Sequence, residues 1–377
     1  MRIAHFLVGR CNPDSANGVD KAVFHLTAAQ AALGHDVALF SVTDKPALPV
    51  PDVDVRTHAP GPVRALVPAS LTRDLRAWSP QVVHIHSVYV PANAALARTL
   101  RGWGVPYVIT PHGALNTHVL RRRAYLKRPY RLLVELPALN RAAFVHAIAD
   151  DASIRAYGVT APLVVAPNGI DFAAVPPDPD PTTLAERFPA ARGRRVALFL
   201  GRLDPLHKGL DLLLEGFARA VPRAPELLLA FVGPNWRGKQ GELERLAARL
   251  GVSDRVIFWG PAHGREKYDL LASASVAVHT SRWEAGVPFS ILEALAAGRP
   301  CLVSHAADPL GLIASSGAGA TIRAEVGEIA GALEGLARAS DADLARQGER
   351  ARDLARREFA WPRIAGTVIA AYARYAA

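Results

Sequence analysis

Cysteine is scarce in this chain: Cys11 and Cys301 are the only two, far apart and without metal-ligand spacing. That excludes a disulfide framework, offers no zinc site and fits a reducing cytoplasm. Long hydrophobic runs are missing too. The longest stretch free of Asp, Glu, Lys and Arg, 77–97, contains Pro80, His84, His86 and Pro91, which argues against a membrane span. The apolar run in MRIAHFLVGRCNPD is too short for a signal segment and reads as a buried first strand. No GxGxxG follows that strand, and no repeat of solenoid period runs along the chain. A soluble protein, cytoplasmic or peripheral at the inner face of a membrane, is expected.

What is present is apolar mass and a lopsided charge. With 377 residues, half of them apolar, the chain is too long for one ordinary domain and can bury two cores. The net charge is +10, yet residues 1–168 carry 18 Lys and Arg against 10 Asp and Glu, and residues 169–377 carry 26 against 24. The excess concentrates in 117–141, with seven basic residues and one acid.

Short β-rich runs alternate with helical patterns: RIAHFLVG, DVALFSV, VVHIHS, YVITPH, FVHAIA and LVVAPNGI, then after the interruption VPPDPDPTT a second series, RVALFLGRL, LLLAFVGP, RVIFWG, SVAVHTS, PCLVS and GATI. This βαβ alternation predicts two doubly wound, mostly parallel α/β domains. The boundaries expected are 1–170, a linker at 171–190, and 191–360. The stretch 341–377 is helical, with a break predicted at Pro362.

In such sheets ligands sit beyond the carboxyl ends of the strands. Three loops there carry candidates. After strand one, Asn17-Gly18 starts a helix whose amides can bind phosphate, though it is also a simple turn. In FLGRLDPLHKGLDLLLEGF, Arg202 leaves a strand and Lys208 precedes Gly209 and a helix, two cations suited to a diphosphate. In HTSRWEAGVPFSILEALAAG, Pro288 opens a helix with Glu293 at its edge, a carboxylate able to accept ribose hydroxyls, and Glu284 lies in the loop before it. Taken singly, each charge also reads as an ordinary solvated one.

In order along the chain, NGVDKAVFHLTAAQAALGHDV, VVHIHS, YVITPHGAL, VVAPNGID, LGRLDPLHKGLDLLLEGF, LLAFVGP, VIFWG and SRWEAGVPFSILEALAAGRP resemble glycosyltransferase family 4 over nearly the whole chain. The resemblance implies the GT-B architecture, two Rossmann-like domains facing a deep cleft, the first binding acceptor and the second the nucleotide-sugar donor, with a C-terminal helix at about 361–377 crossing back. It implies retaining transfer without a metal or cofactor, from a UDP- or GDP-sugar to a glycan or lipid-linked acceptor in polysaccharide or glycolipid assembly. Arg202 and Lys208 would hold the diphosphate and Glu293 the ribose. Glu284 and His112, the latter in TPHGAL, would meet the sugar. Gly18, Asn168, Gly286, Val287 and Pro288 would line the donor site. Two departures stand out: eight residues separate the glutamates where the family usually has seven, and Asn17 replaces the first glycine of a common Gly-Gly pair.

Rival readings are a P-loop NTPase built on GPNWRGKQ at 233–240, where Gln240 stands in place of the magnesium-binding Ser/Thr, and a basic nucleic-acid binder, for which no motif is present. The pairs Asp52/Asp54, Asp178/Asp180 and Asp341/Asp343 read as structural. Residues 117–141, with leucines beside the arginines, suggest contact with an anionic membrane.

Overall fold

The computed structural model describes residues 1–13, 17–45, 47–61, 63, 66–115, 128–149 and 152–376. The chain divides into two compact units, Met1–Gly169 with Trp361–Ala377, and Ile170–Ala360. Unit 1 holds a seven-stranded parallel sheet of β1 (Arg2–Val8), β2 (Asp36–Val42), β3 (Asp54–His58), β4 (Val82–His86), β5 (Tyr107–Thr110), β6 (Phe144–Ala147) and β7 (Leu163–Val165), in the order β3-β2-β1-β4-β5-β6-β7. Unit 2 holds six parallel strands, β8 (Arg195–Leu200), β9 (Leu227–Val232), β10 (Val256–Gly260), β11 (Val276–His279), β12 (Cys301–Ser304) and β13 (Gly319–Ile322), in the order β10-β9-β8-β11-β12-β13. Each order reverses beside the unit's first strand, between β1 and β4 and between β8 and β11. At such switch points the loops diverge and leave a crevice.

The near-continuous apolar strands are buried on both faces by the crossover helices, as parallel sheets require. In unit 2, Val196, Leu198 and Leu200 face one cluster, and Ala197 and Phe199 the other. Each large side chain so buried contributes about 1.5–3 kcal/mol. In unit 1, Val83 and Ile85 of β4 join an apolar cluster on one face, so the strand's alternation sends His84 and His86 to the opposite face.

Three details differ from or extend the sequence reading. Strand β3 adds an edge to sheet 1, paired in parallel with β2. Residues 171–190 do not form a free linker. Leu184 is buried in the unit 2 core, Phe172, Val175 and Phe188 pack against it, and the Asp180 amide donates to the Asp269 carboxylate at 2.8 Å. The C-terminal region breaks between Asp341–Glu358 and Trp361–Tyr375, and the second of these helices belongs to unit 1. Among the described residues no helix is long and apolar enough to cross a membrane.

Candidate functional site

The loops after β8 and β11 lie at the switch point of unit 2, and they carry most of the residues singled out in the sequence. After β8, Asp204 caps the short helix Pro205–Lys208 by accepting from the His207 amide at 3.2 Å. Gly209 then turns left-handed at φ 63°, and a Cβ there would run into the Thr280 carbonyl oxygen. Only glycine allows the two loops to approach this closely. Thr280 Oγ1 donates to the Gly209 carbonyl at 3.1 Å, the Arg282 amide to the His207 carbonyl at 3.1 Å, and the Arg282 guanidinium to both oxygens of Asp211 at 2.8 and 2.7 Å. The two loops are thereby fastened into one wall.

On that wall Lys208 Nζ lies 2.5 Å from Glu284 Oε1, with only 11% of either side chain exposed. The same oxygen accepts from Ser281 at 2.6 Å and from His279 Nε2 at 3.1 Å. Burial by itself would raise the Glu284 carboxyl, but the Lys208 ammonium and the His279 hydrogen bond outweigh it and hold the group well below the usual carboxylate range. His207 stacks on Trp283 with ring centroids 4.9 Å apart, donates to the Trp283 carbonyl at 3.0 Å, and is pushed down to about 4 by burial and by Lys208. Arg202 makes no ion pair among the described residues; its guanidinium lies 4.5 Å over the Trp236 ring. One cation on this wall is therefore paired and one is not.

Glu293 does not sit at an exposed helix edge. It is buried on the helix Phe289–Ala296, with Oε1 3.0 Å from Lys267 Nζ. Gly286 and Val287 are buried just ahead of that helix and Pro288 caps it. The two glutamates thus hold different lysines. Lys267, His279 and Ser281 escaped the sequence reading; His279 carried a signal, since it ends a strand on the ligand side, but Lys267 looks like any helix-surface lysine in GREKYDLLA.

The remaining candidates belong to unit 1. Gly18 begins the helix Gly18–Ala32, whose cap Asn17 accepts from the Val19 amide at 3.1 Å. His112 and Asn168 line one small pocket with His86, Thr110, His146, Ala22 and Trp361. His112 has φ 49°, a conformation that non-glycine residues adopt only where their surroundings hold them. The strand histidines of this unit were missed as a group, although HFLV, VVHIH and FVHA each set histidine into an apolar run.

The rival motifs are engaged otherwise. Residues 233–240 enter a short 3-10 turn, Trp236–Gly238, before the helix Gln240–Arg249. Asp54 pairs with Arg56, Asp178 with Arg265, Asp341 with Arg195 and Asp343 with Arg346. The helix-flanked part of the basic patch, 128–141, is described, whereas 117–127 lies outside the described residues.

Comparison with known proteins agrees with this arrangement. Residues 16–174 match the model of Glycosyltransferase Family 4 and residues 194–339 that of Glycosyl transferases group 1. A D-inositol 3-phosphate glycosyltransferase of Frankia alni is 31% identical, covering 77% of this chain and 78% of the relative. D-inositol 3-phosphate glycosyltransferase 2 of Catenulispora acidiphila is 29% identical over 95% of this chain and 90% of its own. The Anabaena protein HepE, solved in complex with UDP and glucose, superimposes with a TM-score of 0.77 at 19% identity, covering 99% of this chain and all of the other. Two doubly wound units of GT-B type, an Arg/Lys loop at the switch point of the second, and these matches across both halves lead to one conclusion: the chain belongs to the group 1, or family 4, glycosyltransferases.

Proposed function

We propose that the chain moves a sugar from a UDP- or GDP-sugar to a hydroxyl of a glycan or lipid-linked acceptor, with retention of anomeric configuration and without a metal. The observation that carries the reading is the wall of unit 2, where Lys208 is held by Glu284 in the loop that leads into the helix Phe289–Ala296, and Arg202, from the loop after β8, makes no ion pair among the described residues. Cations and helix-start amides bind a diphosphate and stabilise it as it leaves. Lys208 would exchange Glu284 for phosphate, and Glu293 on its helix would accept from the ribose. With the leaving diphosphate neutralised by side chains, no divalent ion is required, and the leaving oxygen itself can take the acceptor proton. HepE, with its UDP and glucose, supports the donor class. The names of the two inositol phosphate enzymes favour a phosphorylated polyol as acceptor.

Thermal unfolding in the presence of UDP, GDP, ADP and their sugars tests the donor, because a ligand of the native state raises the midpoint with its concentration. A rise with UDP or GDP and their sugars, unchanged by EDTA, is expected. No rise with any of them, or a rise that needs added Mg²⁺ or Mn²⁺, would overturn the proposal, and the anomeric proton coupling of the product checks retention.

A further inference from the structure

One face of sheet 1 carries histidine where a parallel sheet normally carries aliphatic side chains. His5 on β1, His84 on β4 and His146 on β6 are buried, as is His86 two residues along β4, and Thr110 on β5 stands among them. Each of His5, His84 and His86 has two ring nitrogens, and one from each ring lies within 4.8 Å of the other two, the spacing of a metal site. Yet all six of those nitrogens already have hydrogen-bond partners, so the cluster does another job.

The partners form one unbranched series, and its direction follows from its end. His146 Nε2 lies 2.7 Å from the Ala166 carbonyl, which can only accept, so Nε2 carries the proton. His146 Nδ1 must then accept from Thr110 Oγ1 at 3.0 Å, and Thr110 in turn accepts from His84 Nε2 at 2.6 Å. His84 Nδ1 accepts from the Tyr372 hydroxyl at 2.5 Å, and that hydroxyl accepts from Gln30 Nε2 at 3.3 Å. The amide so oriented presents Oε1 to His5 Nε2 at 2.7 Å. His5 Nδ1 therefore accepts from His86 Nε2 at 2.9 Å, and His86 Nδ1 from His112 Nε2 at 3.1 Å. Each neutral imidazole offers one donor and one acceptor, so every link dictates the next.

We infer that this series sets the tautomer of His112: the ring carries its proton on Nε2 and presents an unprotonated Nδ1 at the open end, as a hydrogen-bond acceptor and not as an acid. Thr110, Tyr372 and Gln30 are positioning residues that act on His112 through the chain. The series needs neutral rings, and burial supplies them. It pushes His5 and His146 down to about 4, His112 to about 3, and His84 and His86 well below the ordinary value. The His112 ring lies against His86 at a centroid distance of 5.3 Å. The consequence for chemistry, if His112 meets the donor sugar as the family resemblance implies, is that a sugar hydroxyl donates to Nδ1. His112 then orients the sugar and does not protonate the leaving group.

Nitrogen-15 spectra of the histidine rings at neutral pH test this on the ligand-free protein, with His112 assigned through its missing signals in His112→Asn. All five rings are expected as neutral Nε2–H tautomers, the Nδ1 of His112 resonating as an unprotonated nitrogen. Thr110→Val severs the link between His84 and His146 and should leave His112 as a mixture of both tautomers, with turnover of UDP-glucose or GDP-mannose down about tenfold, the worth of one neutral hydrogen bond. Thr110→Ser keeps both links and should restore the wild-type spectrum and rate. A wild-type His112 with Nδ1 protonated, or a Thr110→Val spectrum identical to wild type at His112, overturns the inference. If the spectra are as expected but His112→Asn turns over at the wild-type rate, the series stands and the reading of His112 as a sugar contact falls.

Discussion

At the scale of single residues, the decisive contact is Lys208 with Glu284. Both side chains are nearly buried and each is the other's counter-charge, and Ser281 and His279 complete the shell of the shared oxygen. Replacing Lys208 with Met leaves Glu284 buried without its cation and is expected to destabilise the protein by about 3–5 kcal/mol. Adding Glu284→Gln should recover most of that loss while leaving turnover about 10²–10³-fold down, because the leaving group still lacks its cation. Arg202→Ala, which breaks no ion pair among the described residues, should lose turnover with little change in stability. Urea unfolding and initial rates on the four proteins separate the two effects; a double variant as unstable as Lys208→Met alone would count against the pairing. Both cations were legible in the sequence, as a strand-end arginine and a lysine before glycine. Their different partners were not, since Lys208 and Glu284 are 76 residues apart.

At the scale of elements, the strands were legible because a parallel sheet buried on both faces needs unbroken apolar runs, and twelve of the thirteen strands among the described residues were read from them. The exception, β3, is DVRTH, an edge strand too polar to stand out. The histidine-bearing face of sheet 1 has a consequence for acid stability. His5, His84, His86, His112 and His146 have folded-state values depressed by burial below the 6.5 of the unfolded chain. Above pH 6.5 the rings are neutral in both states and stability is fully present. Below it the unfolded chain takes up protons that the folded one refuses, and stability falls as pH drops toward the depressed folded values, about 4 for His5 and His146 and about 3 for His112. The loss is up to about 1.4 kcal/mol per pH unit for each ring. Unit 2 has only His207 and His279 of this kind. Unit 1 is thus expected to open first as pH falls from 7 to 5, seen by hydrogen-exchange mass spectrometry with a common labelling pulse. Equal protection of the two units across that range would contradict it.

At the scale of the whole molecule, the basic excess belongs to unit 1, and so does the apolar edge beside it. In the π-helical turn Arg131–Glu135, Leu132 and Leu133 are 61% and 78% exposed, while Glu135 turns inward to accept from the Tyr89 amide at 3.0 Å and is pushed up to about 7 by burial. Arg131 is also held inward, donating to the Tyr157 carbonyl and lying 4.6 Å over the Tyr157 ring. The contact with an anionic membrane expected from the sequence therefore depends on the arginines of 121–128 and on these two leucines. Co-sedimentation with anionic vesicles at low salt, weakened by high salt and by Leu132→Ser with Leu133→Ser, is the expected result. Failure to pellet with anionic vesicles at low salt would make a soluble acceptor the better reading.

By itself the sequence determined what local pattern can encode: two α/β units from apolar periodicity, the loops that carry the Arg/Lys pair and the glutamates, and the family from the order of its motifs. The tertiary structure alone decided which groups neutralise one another. Glu284 meets Lys208, Glu293 meets Lys267, the 171–190 stretch joins unit 2, and Tyr372 reaches His84 across 288 residues. The physical reason is that hydrogen bonds and ion pairs are decided by approach within about 3 Å, and between strands and helices distant in the chain that approach is set by packing, which no stretch of neighbouring residues contains.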